Sequence, residues 1–183
     1  MTYKNKLNLE YVCKYQKLNK NTINELYNMF NLLHWDYLFQ YQKLSEDLIR
    51  HYKKYIDRDS LGWVHISTCQ TLSEAFIREF ADQVDWYDIS LKQTLSESFI
   101  REFDNKVYWE GISTGQNLSE AFILEFADKV DWQRICLYQK LSESFIREFA
   151  HKLDWEKISI GQELSESFIR EFDNKLHWGN ISK

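Results

Sequence analysis

The chain contains no proline and only 5 glycines in 183 residues. That excludes a loop-rich sandwich and a pair of domains separated by a proline- or glycine-rich linker. Its three cysteines, Cys13, Cys69 and Cys136, are an odd, widely spaced set without a CxxC, so a disulfide framework or zinc site is not expected. No run of about 18 apolar residues exists that could cross a membrane, and the opening MTYKNKLNLEYV has no secretion-signal core. A soluble, intracellular protein in a reducing compartment is the expectation. There is no glycine-rich phosphate loop, and a formal net charge of −5 suits polyphosphate poorly. Apolar side chains, by contrast, are plentiful. Hydrophobic residues make up 44% and aromatics 16%, enough for a sizeable core and unlike a disordered tail.

An internal repeat dominates the chain. Leucine followed by Ser-Glu recurs at Leu72, Leu95, Leu118, Leu141 and Leu164, always 23 residues apart. Tryptophan keeps the same step at Trp63, Trp86, Trp109, Trp132, Trp155 and Trp178. The skeleton is LSE-x-FI-x-EF, then W, then I, with a glutamine four residues after the isoleucine. The front of the chain follows it loosely: Leu44-Ser45-Glu46 opens a unit whose Trp63 arrives five residues late, and Leu18-Asn19-Lys20 one whose Trp35 arrives three late. The array is therefore expected to start near Leu7, with residues 1–71 as divergent repeats forming a cap and 72–183 as the regular array, one continuous solenoid. A separate N-terminal domain is the alternative.

Each unit reads as two helices. Phe76, Ile77, Phe80 and Val84 share one helical face, Ser73 is a good N-cap, and Leu72 with Ile77 forms a hydrophobic staple. A second, shorter helix should start after Asp85 and present Trp86, Ile89 and Gln93 on one side. Period-two alternation is absent. Units this short cannot bury so many aromatic faces alone, whereas stacked neighbours can. The expected fold is all-α, an α-solenoid of about seven two-helix units.

The recurring residues have structural readings first. Each Trp is expected to wedge between helix pairs rather than to form a ligand platform. The recurring glutamines (Gln16, Gln42, Gln70, Gln93, Gln116, Gln139, Gln162) should satisfy loose backbone groups where helices meet, rather than line up as a polar ligand row. Glu74–Arg78, Glu97–Arg101, Glu143–Arg147 and Glu166–Arg170 are favourable i,i+4 pairs, and Glu102–Lys106, Glu125–Lys129, Glu148–Lys152 and Glu171–Lys175 suggest a second series. Leu124 breaks the first series. No catalytic constellation assembles: His34 and His177 look like substituted caps, while His51, His65 and His151 lack metal-ligand spacing. Cys13 and Cys136 stand where most units have serine, which fits a small half-buried residue. No enzyme, metal or cofactor is expected.

The LSE-x-FI-x-EF…W…IS…Q motif resembles the short tandem helical repeats in proteins of giant DNA viruses that infect amoebae. The resemblance covers residues 44–183 well and residues 7–43 loosely. It implies a viral protein acting in the host cytoplasm or the virion, and it transfers no catalytic residue.

In solenoids the scaffold positions repeat and the variable positions recognise. Variation here falls on the second helix. The two residues after each Trp read Tyr87-Asp88, Glu110-Gly111, Gln133-Arg134 and Glu156-Lys157. Those before each Gln read Leu91-Lys92, Thr114-Gly115, Leu137-Tyr138 and Ile160-Gly161. Stacking would align them into one strip, so the candidate partner-binding residues are Tyr87, Asp88, Leu91, Lys92, Glu110, Gln133, Arg134, Leu137, Tyr138, Glu156, Lys157 and Ile160. Drift of solvated positions is the alternative. Residues 1–71 carry 10 basic against 7 acidic residues and 72–183 carry 13 against 21, so the acidic array favours a basic protein partner or head-to-tail self-association. The functional expectation is a protein-interaction scaffold. Self-assembly comes second, and nucleic-acid binding last, because the array's cations are matched to acids.

Overall fold

The computed structural model describes residues 8–30 and 35–181. These form 14 α-helices and one 3-10 turn, with no strand among the described residues. The helices alternate in two kinds. Those in the tryptophan position are α1 (Leu9–Tyr15), α3 (Trp35–Tyr41), α5 (Gly62–Cys69), α7 (Trp86–Lys92), α9 (Trp109–Gly115), α11 (Trp132–Tyr138) and α13 (Trp155–Gly161). Those in the Leu-Ser-Glu position are α2 (Lys20–Phe30), α4 (Glu46–Ile56), α6 (Glu74–Glu79), α8 (Glu97–Glu102), α10 (Glu120–Glu125), α12 (Glu143–Glu148) and α14 (Glu166–Glu171). The 3-10 turn spans Trp178–Asn180. The fold is an α-solenoid of two-helix repeats. The chain packs as two compact units, Met1–Gln93 and Thr94–Lys183. In the first, α1, α3, α5 and α7 pack side by side in order. In the second, α9, α11 and α13 do the same, with the 3-10 turn against α13.

Local chemistry sets the helix starts. Ser73, Ser119, Ser142 and Ser165 each accept the N–H three residues on, as Ser73 Oγ does from Phe76 at 3.1 Å. Asp85, Asp131 and Asp154 cap the tryptophan helices in the same way. His177 occupies a cap position, but its ring makes no cap bond; its N–H goes to Ser159 Oγ at 2.9 Å. His34 and Leu7 lie outside the described residues.

One expectation on length is corrected. The regular Leu-Ser-Glu helices have six residues and the tryptophan helices seven, so the second helix is not the shorter one. The chain leaves the helix at Phe80, whose N–H still bonds the Phe76 carbonyl. Trp86 Nε1 donates to the Ala81 carbonyl at 2.8 Å across the turn that follows, and Trp109, Trp132 and Trp155 repeat this five residues back. Val84 is still buried, but on the following turn, where its N–H bonds the Phe80 carbonyl. The fully buried side chains include Leu38, Phe39, Ile49, Ile56, Ile66, Phe76, Ile77 and Ile89 in the first unit and Ile100, Ile112, Phe122, Ile123, Ile135, Ile146, Ile158 and Phe168 in the second. The tryptophans other than the exposed Trp178 are half-buried: Trp109 packs on Phe126 at 4.9 Å and Trp155 on Phe172 at 5.0 Å.

The glutamines act as clips between repeats. Gln139, at the end of α11, accepts from Leu118 N–H at 3.0 Å. Its amide nitrogen donates to the Ser113 and Gln116 carbonyls at 3.0 and 2.8 Å. Gln70 and Gln162 repeat the pattern, with acceptor bonds of 2.9 and 3.0 Å. Each clip satisfies the orphan carbonyls at the end of the preceding tryptophan helix and the N–H that opens its partner. The structural reading holds for Gln42, Gln70, Gln93, Gln116, Gln139 and Gln162, whereas Gln16 is exposed.

The charge pairing differs from the second series of the sequence pattern at Glu125 and Glu171. Glu125 does not serve Lys129; it pairs with Arg101 of the preceding repeat at 2.7 Å, while Lys129 reaches back to Asp104. The helix ends at Glu125, so the i,i+4 geometry that the pattern assumed is absent. Arg101 also keeps Glu97 at 3.5 Å and lies 4.9 Å over the Phe122 ring. Arg50 and Arg147 do likewise, to Glu79 and Phe76 and to Glu171 and Phe168. The Leu-Ser-Glu carboxylates reach forward too: Glu143 accepts from Ser165 N–H at 2.7 Å, and hydrogen bonds from Ser165 hold that carboxyl below its ordinary pKa. Leu124 removes the arginine clasp from one interface. Leu124→Arg should restore contacts to Glu148 and Phe145 and stabilise the second unit by about 0.5–1.5 kcal/mol. A thermal melt should rise by roughly 2–4 °C per kcal/mol gained; no rise would show that the clasp contributes nothing.

Candidate partner-binding surface

Of the twelve predicted partner-binding residues on the tryptophan helices, Tyr87, Lys92, Gln133, Tyr138, Glu156 and Ile160 are exposed and the other six are half-buried. The structure divides the predicted strip. Tyr87, Asp88, Leu91 and Lys92 belong to the first unit and the other eight residues to the second. On α7, Tyr87 is 53% exposed and Lys92 is exposed, whereas Leu91 is half-buried. Asp88 is structural: its carboxylate accepts from Thr68 Oγ1 at 2.5 Å and its N–H bonds the Asp85 cap.

In the second unit the strip runs across three packed helices, α9, α11 and α13. Glu110 and Arg134 form an ion pair at 2.7 Å between α9 and α11, and Tyr108 donates to the same carboxylate. Lys157 lies 3.8 Å from Glu156 on α13. Beside these charges stand Tyr138, 50% exposed, and Ile160, 46% exposed, with Leu137 half-buried between helices and Gln133 in solvent. Gly161 closes the edge of this patch: a Cβ there would collide with the Leu137 carbonyl. The surface is thus a small apolar patch edged by paired charges, a mixture common at protein interfaces.

No family model, curated protein or solved structure matches this chain.

Two features of the first unit escape a reading of the regular repeats. Tyr11 and Tyr15 on α1 and Tyr37 and Tyr41 on α3 form a second patch, with Tyr11 and Tyr15 58% and 59% exposed. Each pair is spaced i,i+4, and 8 of the chain's 11 tyrosines fall within residues 1–71, a compositional skew that could have revealed them. The other feature is an open groove of about 520 Å³. Trp35, Asp36, Tyr55, Arg58, Asp59, Ser60 and Leu61 line it. Arg58 to Leu61 lie in the stretch that delays Trp63, so the extra residues have a structural product.

Cys13 and Cys136 are fully buried, and burial pushes both thiols up to about 11. Among the described residues no cluster of three His, Cys, Asp or Glu side chains could hold a metal ion, and no helix is long and apolar enough to cross a membrane.

Proposed function

We propose that the chain is a non-enzymatic repeat scaffold, viral in origin, that binds a protein partner in the host cytoplasm or the virion. One observation carries the reading. The repeated Gln and Arg side chains are spent on bonds between repeats and the repeated Ser and Trp on caps and turns, while among the non-repeated side chains Tyr87, Gln133, Tyr138, Glu156 and Ile160 are exposed on the tryptophan helices. The acidic balance of residues 72–183 favours a basic partner. The viral assignment rests on the repeat motif alone.

Tyr138→Ser with Ile160→Ser is the test, because both side chains are exposed and neither supports the core. Stability should shift by no more than about 0.5 kcal/mol per site. Retention of a partner captured from amoebal lysate should fall about tenfold or more, as at interface anchors. Glu148→Gln is the control, since Arg101 and its acids hold repeats together and are unsuitable. Retention unchanged by the double substitution would remove the strip from the reading. Light scattering decides self-assembly directly: growth of mass with concentration would favour it over a foreign partner.

A further inference from the structure

We propose that the open groove of the first unit binds a zwitterionic amino acid with an aromatic side chain. The site lies apart from the second-unit strip, and the inference goes beyond the scaffold reading.

The groove holds two opposite charges that do not serve each other. Asp36 lines it from the first turn of α3, and Arg58 lines it from the stretch between α4 and α5. Among the described residues neither side chain has an ion pair or hydrogen bond. Arg50, Arg101, Arg134 and Arg147, by contrast, are all paired with carboxylates. The acids beside Arg58 in the chain are engaged elsewhere. Asp57 takes Lys53 and the Trp63 indole N–H, and Asp59 accepts the Leu61 N–H at 2.9 Å. The rest of the lining is aromatic and apolar. Trp35 and Tyr55 stack at 4.0 Å with 12° between their planes, and the Lys54 ammonium lies 4.7 Å over the Tyr55 ring. The Tyr27 hydroxyl donates to Tyr55 and, with Lys54, lowers that phenol below its ordinary pKa. Leu61 is 52% exposed and Ser60 adds a hydroxyl.

Each part of the lining selects a part of the ligand. A guanidinium without a carboxylate takes one from the ligand, and a carboxylate without a cation takes an ammonium, both as charge-assisted hydrogen bonds. One molecule that carries both groups answers Arg58 and Asp36 together. An anion alone would meet Asp36 and Asp59 as repulsion, and a cation alone would meet Arg58. The aromatic part follows from the stacked pair. With Trp35 and Lys54 over the Tyr55 ring, ring edges are left for the groove, and an edge attracts the face of another ring. Leu61 extends that contact from the other segment of the lining. At about 520 Å³ the groove falls within the roughly 300–1,000 Å³ of small-molecule sites. Arg58 to Leu61 belong to the stretch that the regular units lack, so the site is peculiar to the first unit.

Nuclear magnetic resonance titration of the full chain with L-phenylalanine tests this, and a dissociation constant of about 1 mM is expected for so open a site. Phenylalaninamide lacks the carboxylate and N-acetylphenylalanine lacks the ammonium, so each should bind about tenfold more weakly. Glycine, a zwitterion without a ring, should also bind about tenfold more weakly. Two variants assign the charges. Arg58→Gln should weaken phenylalanine about tenfold and leave phenylalaninamide unchanged, whereas Asp36→Asn should weaken phenylalanine about tenfold and leave N-acetylphenylalanine unchanged. Arg58 is exposed and Asp36 half-buried, so helicity should survive, and circular dichroism checks it. Phenylalaninamide binding as tightly as phenylalanine would mark a site for a cation and overturn the proposal. No saturation by phenylalanine below about 20 mM, or equal losses for every ligand in either variant, would overturn it too. Failure here leaves the strip test on Tyr138 and Ile160 intact, and the reverse holds as well.

Discussion

Gln139→Leu should destabilise the second unit by about 3–5 kcal/mol, although leucine has nearly the same size and suits a buried site. Gln139 is 4% exposed and makes three hydrogen bonds, one accepted from Leu118 N–H and two donated to the Ser113 and Gln116 carbonyls. Leucine fills the volume but leaves one buried N–H and two buried carbonyls without partners. An unsatisfied buried polar group costs about 1–3 kcal/mol, and partial entry of water keeps the total below the full sum. The effect should be local, since repeats touch only their neighbours. Hydrogen exchange should therefore accelerate first in α9 and α11 and at the junction that opens α10. A denaturant midpoint equal to the parent's would mean that water replaces the clip at no cost.

Much of this architecture was legible because it is periodic. A 23-residue step in leucine and tryptophan, with Ser and Asp at helix starts, specifies two helices per unit and their caps. The role of the glutamines followed from their place between helices, where backbone groups lack partners. Features that depend on distances between repeats were not legible. Glu125 has a lysine four residues later, but the helix stops at Glu125 and Arg101 arrives from the preceding repeat, so the local rule named the wrong partner. The turn after α6 carries a Trp86–Ala81 bond that no propensity encodes. The candidate surface was half legible: variation identified Tyr138 and Ile160, but it also included Asp88, which is held by Thr68. The tyrosine face escaped because it lies in divergent repeats, where no recurring pattern separates scaffold positions from free ones.

Trp109→Ala should cost about 3 kcal/mol, at the lower end of the range for truncating a large aromatic because Trp109 is half-buried. Four contacts disappear together. The indole N–H loses the Asp104 carbonyl at 3.1 Å, which closes the turn between α8 and α9. The ring loses Phe126 at 4.9 Å and Phe122 at 6.4 Å in the next repeat. Lys129, whose ammonium sits 5.7 Å over the same ring, loses its cover. Trp109→Phe separates these contributions: it keeps most of the aromatic packing and removes the N–H, so about 1 kcal/mol should be lost. Trp178→Ala is the internal comparison. Trp178 is 61% exposed and its N–H bond to Asp173 is longer, 3.2 Å, so its truncation should cost less than about 1 kcal/mol. Denaturant melts of the three variants should therefore rank Trp109→Ala well below Trp109→Phe and Trp178→Ala. If Trp109→Ala melts with the parent, the indoles are displayed rather than wedged, and the tryptophan row would have to be read as a ligand platform.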